Sequence, residues 1–196
     1  MRRVFSTTVL FVSLLLLFIP GRAAAQGSGV FVGNAAPDFT LENLEGKPMS
    51  LAKALEKGPV LLDFWALWCK PCLQALPGTD ELARRFADRG LTVFAINTDS
   101  PRSIAKVRSY VKSMGFSFDV LLDPNSDMLR LYRFNRIPQL FLIAPDGKIA
   151  FSKLGYAPGQ EKLLAHEIEK LLPAEPKAEG CEATGEAGAR AAGEEE

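Results

Sequence analysis

The stretch PVLLDFWA, Pro59 to Ala66, constrains the fold more than any other part of this chain. Both alternating sets of positions are apolar except at Asp63, which is the pattern of a central strand covered on both faces. A helix is predicted soon after it, because Pro71 suits a first helical turn and Gly90 suits the distal cap. Pro77 falls inside that helix, where a kink is expected. A buried strand that leads into a helix indicates an α/β domain.

The rest of the chain continues this alternation. Strands are predicted as a hairpin within residues 40–51, a buried strand at 91–99, a short strand at 119–123 and a closing hairpin at 139–156. Helices are predicted at 101–114, at 125–134 and at the end of the domain. In the first of these helices Ile104, Val107, Val111 and Met114 share one face, and in the last Leu164, Ile168 and Leu171 form the buried stripe.

Residues 1–25 have the three-part layout of a secretory signal, with two arginines, an apolar core and three alanines that end at Ala25. The alternative is an uncleaved membrane anchor, because Ser13 is the one polar residue between positions 9 and 19. Both interpretations place the domain outside the cytoplasm, in the periplasm if the source is Gram-negative. Disulfides persist in such compartments.

Residues 173–196 form an acidic tail that contains seven Glu but no Leu, Ile, Val or aromatic residue. Such a segment buries too little surface to offset the entropy of ordering, so it is predicted to be disordered. Residues 30–172 remain as one folded domain, long enough for a sizeable core. The chain carries 23 basic and 23 acidic residues, and nothing in this balance indicates a nucleic acid partner.

Cys69 and Cys72 carry the chemical signal of the sequence. Cys69 lies between the strand and the predicted helix, where unpaired backbone N–H groups and the helix dipole stabilise a thiolate. Cys72 follows one turn later on the same side, close enough to form a disulfide. We therefore expect Cys69 to attack a partner's disulfide and Cys72 to resolve the mixed disulfide. Lys70, between the two cysteines, adds a positive charge that favours the thiolate. We expect this side chain to be exposed, so its effect should be small.

Two other interpretations of this pair are weaker. A metal site needs about four ligands. The chain offers only Cys181 in the tail and His166, which the last helix places on its polar side, so neither a metal nor another cofactor is expected. A purely structural disulfide is disfavoured because so short a loop restrains the unfolded chain little. Cys181 is either an exposed free thiol or a regulatory one that bridges to Cys69 or to a second chain.

Asp63 is the second signal, because a carboxylate inside an apolar strand should have a raised pKa. Six residues before Cys69, it could accept the proton of Cys72 during resolution. The alternative is a structural pairing with Lys57 or Lys70. The Ile137–Pro138 bond stands before a strand, and base rates alone predict a trans peptide there.

These residues together resemble the thioredoxin superfamily, and the resemblance covers nearly the whole folded part. DFWALWCKPC from Asp63 is similar to the active-site signature of that family, with Pro77 at its helix kink. APDFTL, the GK…SL hairpin, INTD and APDGKI are similar to the TlpA/ResA branch of periplasmic or membrane-anchored thiol:disulfide oxidoreductases.

The resemblance implies a thioredoxin fold, a central mixed sheet flanked by helices, with an N-terminal hairpin and a TlpA-type insertion that ends near residue 123. It also implies a cis bond at Ile137–Pro138, facing Cys69 and reversing the base-rate prediction. Substrate would dock along this proline and the surroundings of the cysteines, at Trp68, Lys70, Pro71, Ile137 and Pro138.

Two single residues and one four-residue segment depart from the branch. An aspartate at position 63 is similar to what cytoplasmic-type thioredoxins have, whereas the TlpA/ResA branch often has a neutral amide at this position. Gln139 stands where threonine is usual, and the RFNR segment at 133–136 is more charged than its counterparts. The last two changes fall on the docking groove, so the partner does not carry over from the family.

The resulting prediction is an extracytoplasmic enzyme that reduces protein disulfides and receives electrons from an upstream thiol donor. Apocytochrome c maturation is one setting that the resemblance suggests. The resemblance also implies the reducing direction, because strongly oxidising members of the family tend to have a His within the C-x-x-C motif and CKPC has none. One alternative is a peroxiredoxin-like thiol peroxidase, since APDFTL also opens that family, although Ala66 stands where its Thr is expected. The other is a non-catalytic copper- or thiol-binding chaperone.

Overall fold

The computed structural model describes residues 31–173. The predicted signal or anchor at 1–25 lies outside the described residues, as does all of the predicted acidic tail except Pro173. The strands are β1 (Thr40–Glu42), β2 (Pro48–Ser50), β3 (Val60–Trp65), β4 (Thr92–Asn97), β5 (Asp119–Leu122), β6 (Gln139–Ile143) and β7 (Ile149–Leu154). The helices are α1 (Leu51–Leu55), α2 (Lys70–Phe86), α3 (Ile104–Met114), α4 (Asp127–Leu131) and α5 (Gln160–Glu169).

Five strands form one mixed sheet in the order β5-β4-β3-β6-β7. β3, β4 and β5 are parallel, whereas β6 runs antiparallel to β3 and to β7. β1 and β2 form a separate hairpin. All six residues of β3 are buried, which confirms the predicted central strand.

The two faces of β3 belong to two separate hydrophobic clusters. Leu61 and Trp65 lie in a cluster with residues of α2, α3 and α5, whereas Leu62 and Phe64 lie in one with residues of α1 and α4. Because side chains alternate along a strand, Asp63 shares its face with Leu61 and Trp65. Its carboxyl group therefore points towards α2.

Three local predictions differ from the structure. α1 was not predicted, because its five residues are too few to show a helical period. Met114 belongs to the apolar face predicted for α3, but it is the last residue of the helix and is 45% exposed, whereas Val107 on that face is buried. α2 ends at Phe86, and Gly90 caps the 3₁₀ turn at Ala87–Arg89 that follows it.

The parallel strands begin at the end of the sheet opposite the cysteines, which we call the distal end. Here the loops that lead into β3 and β4 touch, because a Cβ on Gly58 would lie 2.6 Å from the carbonyl oxygen of Gly90. Gly90 has a φ of 97°, a conformation that glycine adopts without strain. Within residues 31–173, no helix is long and apolar enough to cross a membrane.

Candidate active site

The first turn of α2 is built around the sulfur of Cys69, which is the N-cap residue of the helix. Its backbone is extended, and its Sγ accepts a hydrogen bond from the N–H of Cys72 at 3.2 Å. An N-cap acceptor satisfies one of the backbone donors that a helix leaves unpaired at its start. Negative charge on this sulfur would therefore meet a backbone donor and the positive end of the α2 dipole.

Cys69 and Cys72 form a disulfide, with an S–S distance of 2.06 Å and a Cα–Cα distance of 5.2 Å. The expected pairing is confirmed. Cys69 is 5% exposed and Cys72 is 1% exposed. Cys69 is thus slightly the more exposed of the two, although both residues belong to the hydrophobic cluster beneath α2.

Three of the predicted docking residues, Trp68, Lys70 and Pro71, lie next to the two cysteines in the sequence. Trp68, directly before Cys69, is 70% exposed, whereas most tryptophans are largely buried. Lys70 and Pro71 are exposed in the first turn of α2. An exposed indole beside a disulfide offers apolar contact area to a partner at low entropic cost.

The Ile137–Pro138 bond is cis, as the family resemblance implied. Pro138 is buried and precedes β6, whose first residue, Gln139, pairs with Phe64 near the carboxyl end of β3. Ile137 packs against the cluster that contains both cysteines. The structure therefore brings this dipeptide to the same end of the sheet as the disulfide.

Asp63 is 1% exposed, and its Oδ2 accepts a hydrogen bond of 2.8 Å from the hydroxyl of Thr79. Burial raises the pKa of Asp63 from 3.8 to about 6, while the Thr79 hydrogen bond lowers it in part. Thr79 lies seven residues after Cys72, two turns along the same buried face of α2. The alternative pairing with Lys57 or Lys70 is wrong, because Thr79 is the hydrogen-bond partner of this carboxyl group and both lysines are exposed.

A buried network that the sequence argument missed holds the loop before Cys69. Asp99, which is 5% exposed, accepts hydrogen bonds at its Oδ2 from the N–H of Leu67 at 2.7 Å and from Asn97 Nδ2 at 2.9 Å. The amide oxygen of Asn97 in turn accepts from the N–H of Asp99. Asn97 and Asp99 both belong to the INTD motif, but from the sequence we predicted only the end of a strand there.

The described residues contain no group of three or more His, Cys, Asp or Glu side chains placed to hold a metal ion. His166 is exposed on α5, as expected. What the site does contain is a bonded pair of thiols, a helix start and a buried carboxyl group on the same face of the sheet. That combination supports the formation and cleavage of disulfides with a change in protonation.

Comparisons with known proteins agree with this chemistry. Residues 32–152 match the AhpC/TSA family. The chain is 33% identical over 150 residues to the thiol-disulfide oxidoreductase ResA of Geobacillus thermodenitrificans, covering 76% of this chain and 84% of that protein.

Solved structures give the same result. The fold matches a candidate thiol:disulfide interchange protein DsbE from Chlorobium tepidum with a TM-score of 0.67 and 30% identity, covering 72% of this chain and 98% of that one. It also matches the exposed lipoprotein thioredoxin Etrx1 of Streptococcus pneumoniae with a TM-score of 0.59 and 26% identity, covering 69% and 100%. The chain therefore belongs to the AhpC/TSA family of the thioredoxin superfamily and, within it, to the ResA-like thiol-disulfide oxidoreductases.

Proposed function

We propose that this oxidoreductase reduces protein disulfides outside the cytoplasm, using Cys69 and Cys72 as its redox couple. The observation that carries the proposal is the Cys69–Cys72 disulfide at the start of α2, with the Cys69 sulfur as the helix cap. A helix start favours a thiolate at Cys69 over a thiol, which is what a nucleophile in disulfide exchange requires.

The reduced enzyme begins the reaction. The Cys69 thiolate attacks one sulfur of the substrate disulfide, so that a Cys69–substrate bond forms, the substrate S–S bond breaks and one substrate sulfur leaves as a thiolate. Cys72 then loses its proton and attacks Cys69 Sγ, which releases the second substrate sulfur. The substrate gains two electrons, the enzyme is left with the Cys69–Cys72 disulfide, and an upstream thiol donor returns it to the dithiol form.

We assign to Asp63 the role of accepting the proton that Cys72 loses. Its carboxyl group lies on the sheet face beneath α2, where Cys72 is also buried. A pKa of about 6 leaves this group mostly ionised, and so able to accept a proton, at neutral pH. Because the site is buried, water is a poorer acceptor there than a carboxylate fixed on the same face.

The docking surface in this proposal comprises Trp68, Lys70, Pro71, Ile137 and Pro138. The exposed indole of Trp68 supplies apolar area, and Lys70 supplies a positive charge beside the attacked bond. The backbone at Ile137–Pro138, directly before β6, is assigned to pair with an extended substrate segment. Gln139, the first residue of β6, is buried and donates a hydrogen bond to Ser152. It therefore fixes the start of β6 directly after Pro138.

The location and the direction of electron flow rest on separate observations. The signal or anchor layout of residues 1–25 supports an extracytoplasmic location, as does the similarity to a pneumococcal protein described as an exposed lipoprotein. The absence of His from CKPC supports reduction rather than oxidation. An apocytochrome c disulfide is one substrate that the ResA resemblance suggests.

Reduction of a disulfide-bonded protein such as insulin, with dithiothreitol as the electron source, tests the proposal. We expect turnover by the wild-type protein and none by Cys69→Ser. Two other outcomes would replace the proposal. Rapid turnover of hydrogen peroxide would favour the peroxidase alternative, whereas stoichiometric copper bound by Cys69 and Cys72 without insulin reduction would favour the chaperone.

A further inference from the structure

A groove of about 550 Å³ opens at the distal end of the sheet. Leu91, directly before β4, and Val93, within it, are buried and contribute to its floor. Lys47, Lys53 and Lys57 line it as well, and all three are exposed. Within residues 31–173 none of these lysines forms an ion pair. The groove therefore presents three positive charges around an apolar floor, at the far end of the molecule from the disulfide.

The described chain ends beside this groove. Arg89 Nη2 donates a 2.9 Å hydrogen bond to the carbonyl oxygen of Pro173, the last described residue. Arg89 lies two residues before Leu91, which lines the groove. Residues 174–196 therefore start at the distal end.

The charges of the groove and of this following segment are opposite in sign. The lining carries three lysines against Glu56 and Asp119, a net charge of +1. Residues 174–196 carry seven Glu against Lys177 and Arg190, a net charge of −5. Glu175, the first of these, is only two residues past Pro173.

We propose that the acidic segment 174–196 docks in the distal groove of its own chain, with its first glutamates on the lysines that line the groove. Weak contacts are enough for this, because a short tether gives the segment an effective concentration in the millimolar range. A contact with a Kd of about 1 mM would then be occupied about half of the time. The segment therefore needs no hydrophobic core of its own to occupy the groove.

The same geometry separates the two interpretations of Cys181. α2 has 17 residues, so at about 1.5 Å per residue it places the distal end about 26 Å from Cys69. The eight residues from Pro173 to Cys181 span at most about 28 Å when fully extended. A bridge from Cys181 to Cys69 of the same chain therefore needs nearly complete extension, whereas docking in the groove needs none.

The oxidised full-length protein offers a direct test, because Cys181 is then the one free thiol among three cysteines. A nitroxide spin label on Cys181 broadens the NMR signals of nearby amides. We expect broadening at groove residues such as Lys53 and Ser117, and none at Trp68. We also expect the broadening to disappear in 1 M salt, where the Debye length is about 3 Å.

The charge-reversed variant Lys53→Glu/Lys57→Glu should lose the broadening. The matched control is Lys106→Glu/Lys162→Glu, which reverses two exposed lysines on α3 and α5 and should keep it. If the first variant fails to fold, the salt titration of the wild-type protein decides instead.

Three results would overturn the proposal. The first is broadening centred on Trp68, which would favour regulation at the active site. The second is broadening that is spread evenly, or that survives both salt and Lys53→Glu/Lys57→Glu. The third is transfer of the broadening from a labelled to an unlabelled copy in a mixed sample, which would show that the groove binds the segment of a second chain.

Discussion

The hydroxyl of Thr79 donates a 2.8 Å hydrogen bond to the carboxyl group of Asp63, and both side chains are almost fully buried. Burial raises the pKa of Asp63 to about 6, and the hydrogen bond opposes part of that rise because it favours the ionised form. Thr79 therefore positions Asp63 and holds its pKa within the range where it can accept a proton.

Replacement of Thr79 by Val should raise the pKa of Asp63 further. A hydrogen bond to a charged group contributes about 1.5–3 kcal/mol, which corresponds to a rise of about one to two pH units. The ¹³C shift of the Asp63 carboxyl group, followed against pH, measures this directly. Thr79→Ser keeps the hydroxyl and is the matched control. An unchanged titration in Thr79→Val would show that the hydrogen bond has no influence on the proton.

Asp63→Asn should change how stability depends on pH. The pKa of Asp63 is higher in the folded protein, about 6, than its ordinary value of 3.8, so folding binds a proton between these pH values. The contribution of Asp63 therefore becomes less favourable as pH rises from about 4 to 6, by about 3 kcal/mol in all, and is constant above.

Urea unfolding of the oxidised protein at pH 4 and pH 7.5 measures this difference. We expect Asp63→Asn to match the wild type at pH 4 and to be more stable at pH 7.5 by up to about 3 kcal/mol. The wild type should reduce protein disulfides faster as pH rises through about 6, because ionised Asp63 can accept the proton of Cys72. Asp63→Asn should not show this rise. Asp88→Asn, an exposed carboxylate, is the control. Equal stability differences at both pH values would contradict the raised pKa.

Much of this arrangement follows from the sequence. The apolar run of β3 and the proline after Cys69 were enough to predict a buried central strand and a helix that starts at the redox pair. These predictions hold because they depend on local periodicity and on capping, which neighbouring residues determine. The disulfide follows from the same local spacing.

The features that could not be predicted from the sequence depend on contacts between residues that are far apart in the chain. Thr79 at a helical position is unremarkable until the sheet places Asp63 beneath it, 16 residues away in sequence. Asp99 bonds a loop that lies 32 residues earlier. The cis bond before Pro138 came from family resemblance and not from any local pattern.

Asp99→Ala should loosen the loop that presents Trp68. The N–H of Leu67 would lose its acceptor while remaining half-buried, which costs about 1–3 kcal/mol. We expect lower stability by that amount and a slower reaction with protein disulfides, together with faster hydrogen exchange at Leu67. Asp88→Ala is the control. Unaltered exchange at Leu67 would rule out an anchoring role for Asp99.

Cys72→Ser should trap substrates. Without the resolving thiol, the mixed disulfide on Cys69 persists, whereas Cys69→Ser should trap nothing because the nucleophile is gone. Non-reducing gel electrophoresis followed by mass spectrometry measures both and identifies the trapped partners. Trapping through Cys72 in the Cys69→Ser variant would reverse the assignment of the two roles.

The reduction potential of the Cys69–Cys72 couple tests the central claim most directly. The protein is equilibrated in thiol–disulfide buffers of known potential, its thiols are alkylated, and the oxidised fraction is measured by mass. We predict a reversible two-electron transition near the reducing end of the thioredoxin scale, about −270 mV. A potential near −120 mV, that of a strong oxidant, would contradict the account.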